Sequence, residues 1–576
     1  MFRSIKKIPK VLNKEQKIKL VINLFLSFFI PFLELLSIGS IASLVLFILD
    51  LESYKNLIPL IIKENFLINL DKRELLIFLS IMMLFAIIIK NVFLFGYHYF
   101  EFSLRKSVAR YHANKLFNIF LNQSYLEHTF NESSVIQNDI LNQAQKCSDL
   151  IYLLMIVIKD TLIAFILISS LFLINLKASI LLVILSIFIS IIFYFFSSKK
   201  MKDIGAISKK KESELIKIVR NTFDGFKLII LFGKKNFFEN IFRETLFDKF
   251  KFEILQHIVQ KIPRLIFEIF FAFIIILILI NFAKNDGDIE NILPFLIFLS
   301  LISMRLLPIA INLNTIIANV KYIQYPVEDL LKFLIENNSK IINIKNDKPV
   351  YDKLDYKDLE TIEIKNITFS YNKDENKIFE NASCSLKKGK IYAITGKTGV
   401  GKSTLLDILT GILIPSKGSI FINGKDIREN IIKWQENVGY VPQDHFLLND
   451  SIAKNICFGE EKLNLNKIKF SIENSELSEL LSQLPEKENT IVGDRGIRIS
   501  GGQKQRLGLA RALYNDKTFL AFDEATSAVD QETELNILNT LHKLKKDRII
   551  VIIAHRENTI KSCDEEIKIS DKKIFN

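Results

Sequence analysis

At 576 residues, 49% of them hydrophobic and 48 of them Phe, the chain carries more apolar surface than one soluble core can hide. The net charge of +13 comes from Lys residues spread along the chain with no recognition motif, which argues against a nucleic-acid surface and for inside-facing membrane flanks. Four Cys, at 147, 384, 457 and 563, form neither a metal knuckle nor a disulfide framework.

The first 20 residues lack the ordered segments of a signal peptide, so the first apolar run reads as a retained span. Spans are expected at 20–49, 75–97, 150–174, 178–197, 262–283 and 291–315, each offering about the roughly 20 apolar residues that cross a bilayer. Glu34, Lys90, Lys159, Asp160, Arg264, Glu268 and Arg305 interrupt or flank them. Arg3, Lys6, Lys7, Lys10, Lys14, Lys17 and Lys19 precede the first span and place that end in the cytoplasm. Residues 50–74 then lie outside, as an interfacial helix or a bare loop, and the loop 284–290 is also outside. Residues 98–149 and 198–261 return inside and read as helical continuations of the spans. Each has a break near its middle, at 128–134 and at Asp224-Gly225 with Phe232-Gly233. These are ordinary hairpin turns or contact points for the second half of the chain. A transmembrane domain over 1–335 thus leads through a polar linker, 336–360, to a cytoplasmic domain over 361–576.

The cytoplasmic half carries the chemistry. The apolar strand Ile391–Ile394 runs into Gly396-Lys397-Thr398-Gly399-Val400-Gly401-Lys402-Ser403-Thr404, followed by a helical run. In a loop of this kind, glycines let backbone N–H groups approach phosphates at a helix N-terminus. Lys402 neutralises the β and γ charge, and Ser403 offers a hydroxyl to Mg2+. A second apolar strand, Phe519–Phe522, ends in Asp523 and Glu524, placed to hold Mg2+ and to polarise an attacking water. By itself that piece also fits a solvated acidic turn. Ser500-Gly501-Gly502-Gln503 is another helix start with phosphate-binding potential. One chain has one phosphate loop, so a head-to-tail dimer, each nucleotide between the loop of one copy and the Ser-Gly-Gly of the other, gives this element a use.

With these motifs in order, the whole chain resembles an ATP-binding cassette exporter half-transporter. The resemblance implies a six-helix, all-α transmembrane domain fused to an α/β P-loop cassette, with ATP and Mg2+ as cofactors and a homodimer formed through both domains. It implies that Gln443 in Tyr440-Val441-Pro442-Gln443 contacts metal or water, that His555 orients the γ-phosphate, and that Tyr371 stacks on adenine. Asp530, closing Ser527-Ala528-Val529-Asp530, would couple the two sites, and the breaks near 125–135 and 222–234 would be coupling helices. Ile499 stands where the family commonly has Leu before the signature.

Within that family, residues 127–140 and 222–243 resemble bacterial flippases for the lipid-linked oligosaccharides of protein N-glycosylation. The implied activity is ATP-driven flipping of a polyprenyl-pyrophosphate glycan across the inner membrane, with membrane lipids around it. Arg264 and Arg305 would receive the anionic head group; the alternative is a structural role, with Arg264 pairing to Glu268 one helical turn away, while Arg305 has no acidic neighbour at three or four residues. Asn312 stands where another basic residue is expected. A lipid, drug or peptide exporter of the same architecture is the alternative.

Overall fold

The computed structural model describes residue 9 and residues 11–49, 72–174, 176–284, 289–337, 356, 358–372, 376–493, 496–524 and 530–575. The expected outer segment 50–74 and linker 336–360 therefore lie almost wholly outside the described residues, as do Ser527, Ala528 and Val529. The chain divides into two compact units, Met1–Gln123 with Asn131–Ile344, and Ser124–Phe130 with Lys345–Asn576.

Long helices build the first unit: α1 Lys14–Leu49, α2 Lys72–Leu121, then the short α3 Tyr125–Thr129, which belongs to the second unit, and α4 Ser133–Asn138. They continue with α5 Ala144–Ile174, α6 Leu176–Asp224, the short α7 Phe226–Leu231, α8 Lys235–Lys284 and α9 Ile289–Glu336. Each expected span falls inside one long helix. Among the described residues, four stretches are long and apolar enough to cross a membrane: Lys14–Val45, Lys72–Leu121, Ser133–Phe172 and Met304–Glu336. Their outward faces stay bare of protein, with Phe25, Phe28, Val92 and Phe95 exposed. Contiguous apolar surface of that extent needs a non-aqueous neighbour. Inward faces are packed, Ile30, Tyr97, Leu167 and Ile302 forming one cluster and Leu104, Val108, Leu116, Val327 and Leu331 belonging to another further along.

Close approach of α6 and α9 depends on a missing side chain. A Cβ at Gly205 would lie 1.8 Å from the backbone oxygen of Tyr322, and the Tyr322 hydroxyl donates to Ser208 Oγ at 2.7 Å. Small residues let helix backbones meet, and a hydroxyl pair then fixes the register.

The second unit is α/β. One antiparallel sheet has the order β2-β1-β4-β5, with β1 Thr361–Phe369, β2 Phe379–Lys387, β4 Lys417–Ile422 and β5 Lys425–Asp426. The other runs β10-β9-β3-β8-β7-β6, with β3 Ile391–Thr395, β6 Val438–Val441, β7 Phe519–Asp523, β8 Ile549–Ile553, β9 Glu565–Ser570 and β10 Lys573–Phe575. Strands β3, β7 and β8 are buried at every position, as the uninterrupted apolar runs require of parallel strands covered on both faces. Leu405, Leu406, Ile408 and Leu409 of α10 (Lys402–Leu409) cover one face, and Leu509, Leu513, Ile537 and Leu541 of α15 (Gly501–Tyr514) and α16 (Gln531–Leu544) the other.

Candidate functional site

The parallel pairing of β6 with β7, β7 with β8 and β8 with β3 brings four loops out at one edge. This is the carboxyl edge, where open α/β sheets bind ligands. Gln443 follows β6, Glu524 follows β7, His555 follows β8, and the loop Gly396–Gly401 follows β3. Residues up to 159 positions apart in the sequence, from Gly396 to His555, are thus gathered without any local signal connecting them.

The loop carries three glycines at positive φ: Gly396 at 149°, Gly399 at 81° and Gly401 at 109°. Gly401 caps α10, and a Cβ there would stand 2.6 Å from Ile378 Cγ2, so both its conformation and its surroundings demand glycine. Lys402 is 7% exposed. Its ammonium folds back over the loop, donating to the backbone oxygens of Gly396 at 3.0 Å and Lys397 at 3.2 Å. Thr398 and Val400 complete the turn, and the Thr404 hydroxyl lies 3.1 Å from the Tyr371 hydroxyl. The Tyr371 ring rests edge-on against Phe369.

The acidic strand end is not a solvated turn. Asp523 is 5% exposed and accepts from Ser403 Oγ at 3.3 Å. Burial raises the pKa of its carboxyl, opposed by the Ser403 hydrogen bond. Glu524, at φ 50°, turns the other way. Gln443 Nε2 donates to Glu524 Oε2 at 3.0 Å, and His555 Nε2 stands 2.9 Å from Glu524 Oε1. A non-glycine residue in left-handed conformation is uncommon and often sits at a functional site. Ser403 and Asp523 lie together as a hydroxyl and a carboxylate that could hold a hard cation such as Mg2+, which favours oxygen ligands.

Ser500 caps α15 with a capping box: its hydroxyl accepts from the Gln503 amide at 3.3 Å, and Gln503 Oε1 accepts from the Ser500 amide at 2.8 Å. Gly501 and Gly502 form the first turn. Asp530 caps α16, accepting from the Thr533 amide at 3.0 Å, a bond that lowers its pKa. Sequence reasoning missed Glu534, one turn further on and 5% exposed. It accepts from Thr559 Oγ1 at 2.5 Å and from Arg556, tying α16 to the loop that carries His555. No local pattern announces a pair 22 residues apart.

In the first unit both expected anion-binding arginines have carboxylate partners. Arg264 donates to Glu268 at 2.8 Å, and the pair is largely exposed. Arg305, without an acidic neighbour in its own helix, reaches Glu34 Oε2 of α1 at 3.5 Å. The same oxygen takes Lys90 of α2 at 3.5 Å, with Lys90 only 3% exposed. Asn312 is engaged as well, donating to the buried Asp160 at 2.6 Å. Of the two expected coupling segments, Leu126 of α3 packs against the core of the second unit. Phe226, Leu231 and Phe232, in and beside α7, are exposed.

Residues 379–527 match the family model for the ABC transporter, and residues 20–306 match the ABC transporter transmembrane region. The alpha-hemolysin translocation ATP-binding protein HlyB of Escherichia coli is 40% identical over 214 residues, 37% of this chain and 30% of that protein. The mitochondrial iron-sulfur clusters transporter ATM1 of Kluyveromyces lactis is 43% identical over 213 residues, 36% of this chain and 29% of the relative. The match thus spans less than a third of the length of these curated relatives. A solved bacterial Atm1-family ABC exporter with ATP bound has a TM-score of 0.74 at 18% identity, covering 98% of this chain and 94% of its own.

Proposed function

Since the chain belongs to the ABC transporters and has an exporter fold, we propose that it is one half of an ATP-driven exporter that works as a homodimer in the bacterial inner membrane. The observation that carries this reading is the convergence on Glu524, whose two carboxylate oxygens meet Gln443 and His555 at the strand edge that also bears the phosphate loop. In this reading six spans over 1–335 form the transmembrane domain, 336–360 the linker and 361–576 the cassette.

Tyr371 stacks on the adenine of ATP, and the amides of Gly396–Ser403 cradle its phosphates. Lys402 exchanges the loop carbonyls for phosphate oxygens. Ser403, Asp523 and Gln443 would hold Mg2+, which neutralises charge on the β- and γ-phosphates when bound. Glu524 polarises the attacking water and His555 orients the γ-phosphate. Ser500, Gly501, Gly502, Gln503 and Asp530 of each copy close the site of the other. The exposed aromatic residues around α7 suit a contact made in the assembled dimer.

For the cargo, the lipid, drug or peptide class is the better supported. The arginines invoked for a pyrophosphate are already paired with Glu268 and Glu34. Toxin and iron-sulfur cluster transport belong to the relatives and reach this chain only as examples of how broad the class is. Lipid-linked oligosaccharide flipping is the second reading. It draws on the resemblance of 127–140 and 222–243 and on Arg305, whose side chain stays 48% exposed beside Glu34.

The test is reconstitution into vesicles with measurement of ATP hydrolysis and ATP-dependent movement of two fluorescent probes, an amphipathic lipid analogue and a pyrophosphate-linked oligosaccharide. Hydrolysis that depends on Lys402, with movement of the amphipath, is expected. Movement of the oligosaccharide alone selects the second reading. Absence of any Lys402-dependent hydrolysis overturns both.

A further inference from the structure

We propose that the first unit holds a binding site for a single-chain amphipath whose polar end donates a hydrogen bond, seated among α5, α6, α8 and α9 with Asn314 as the acceptor. Naming this molecule as cargo rests on the export reading above; that it binds is argued from the cavity.

The cavity measures about 500 Å3, within the roughly 300–1,000 Å3 of small-molecule sites. Its walls are almost entirely apolar, Leu171, Ile187, Phe267 and Leu306 among them. It is elongated: wall residues on α9 run from Leu306 to Ile317, roughly 16 Å at 1.5 Å rise per residue. The space is a groove open along α6, where Ile187, Ile191 and Phe195 are half exposed or more, and an elongated apolar groove fits a hydrocarbon chain better than a compact polar solute.

The polar end is equally specific. Asn314 is 2% exposed. Its side-chain nitrogen donates to Ser190 Oγ at 3.1 Å and to the backbone oxygen of Ala310 at 2.8 Å. These two bonds fix the amide plane, since a flipped amide would set oxygen against the Ala310 carbonyl. Asn314 Oδ1 is left buried with no donor among the described residues. Buried amide oxygens nearly always have one. A bridging water needs two to four polar partners, which walls of this kind supply poorly. A hydroxyl or amide N–H at the head of a hydrocarbon chain satisfies both the oxygen and the walls. Charge asymmetry along the chain puts Asn314 at the cytoplasmic end of the span expected over 291–315, so the head lies at the inner leaflet and the chain extends outward along the helices.

The experiment uses the full-length protein in detergent micelles, without nucleotide. A diazirine-bearing hexadecanol is the probe, and the same hydrocarbon lacking the hydroxyl is the control. Saturable labelling of peptides containing 187–195 and 306–317 is expected with the alcohol. Half-saturation should weaken about tenfold in Asn314→Leu, while the control hydrocarbon is unaffected by that change. Leu313→Trp, which narrows the cavity without touching the acceptor, should weaken both probes. Elution volume and thermal unfolding of each variant check that it is folded. Labelling scattered over lipid-facing residues, equal affinity for the two probes, or an unchanged response in folded Asn314→Leu overturns the site. Since no ATP is present, the result stands apart from hydrolysis: a labelled protein that fails to turn over ATP refutes the export reading and keeps the site. Addition of ATP and Mg2+ to a hydrolysing preparation should then lower labelling. Unchanged labelling overturns the assignment as cargo and identifies a resident lipid.

Discussion

His555 Nε2 stands 2.9 Å from Glu524 Oε1, and the other oxygen of that carboxylate is taken by Gln443. Glu524→Gln keeps the shape and loses the charge that, in the proposed mechanism, polarises water. ATP turnover should fall at least about a hundredfold, the lower end of what a general base contributes. Binding of a fluorescent ATP analogue should survive. Turnover near that of the unmodified protein would remove Glu524 from the chemistry.

Lys402→Ala chains mixed with Ser500→Arg chains test whether sites are shared between copies. In mixed dimers one site then carries both lesions and the other carries none. ATPase should appear in the mixture and be absent from each parent. An inactive mixture, with heterodimers verified by affinity tags, would speak against pairing of the two elements across the dimer.

Glu34 is the shared counter-ion of Lys90 and Arg305. Glu34→Gln leaves Lys90 charged, buried and without that carboxylate, which costs about 3–5 kcal/mol when a buried pair is broken. Arg305→Ala should cost no more than about 1 kcal/mol, because Arg305 is half exposed and Lys90 still occupies Glu34. Denaturant unfolding in detergent micelles ranks the two variants. Equal losses would show that the three residues do not act as one network.

Gly205→Ala places a methyl group 1.8 Å from the Tyr322 carbonyl oxygen, a backbone atom that cannot swing aside. The α6 and α9 helices must separate, at a cost of roughly 1–3 kcal/mol for overpacking, and the Tyr322–Ser208 hydrogen bond should break. Alanine at Gly39, where a Cβ meets nothing within 4 Å, serves as the control and should be silent in the same melting assay.

Burial pushes the Cys563 thiol up to about 11 and the Cys384 thiol up to about 12, from an ordinary value of 9.0. Below those values the thiol keeps its proton, and only the thiolate is nucleophilic. At pH 9 an unperturbed thiol is half ionised, whereas Cys563, two units higher, should present roughly a fiftyfold smaller thiolate fraction. Peptide mapping after iodoacetamide treatment of the folded protein should find both residues unmodified at pH 8, with reaction appearing only as the pH rises past 10. Rapid alkylation at pH 8 would show the thiols to be more open than the fold implies.

What the sequence by itself determined is the part of this protein written in contiguous residues. Glycine spacing, the apolar run before it and the Lys-Ser after it specify the strand, the tight glycine turn and the helix start at Lys402, because backbone geometry and helix onset are local properties. Twenty-residue apolar runs specify membrane helices, and the exposed faces of α1 and α2 carry that composition into the fold. Long-range partners were decided by the tertiary structure alone. Arg305 gave no sign in its own helix of Glu34, 271 residues away, and Glu534 gave none of Arg556 and Thr559. The same holds for the space beside Asn314. A cavity is what four helices leave unfilled when they pack, and no residue in a sequence encodes the volume its neighbours fail to occupy.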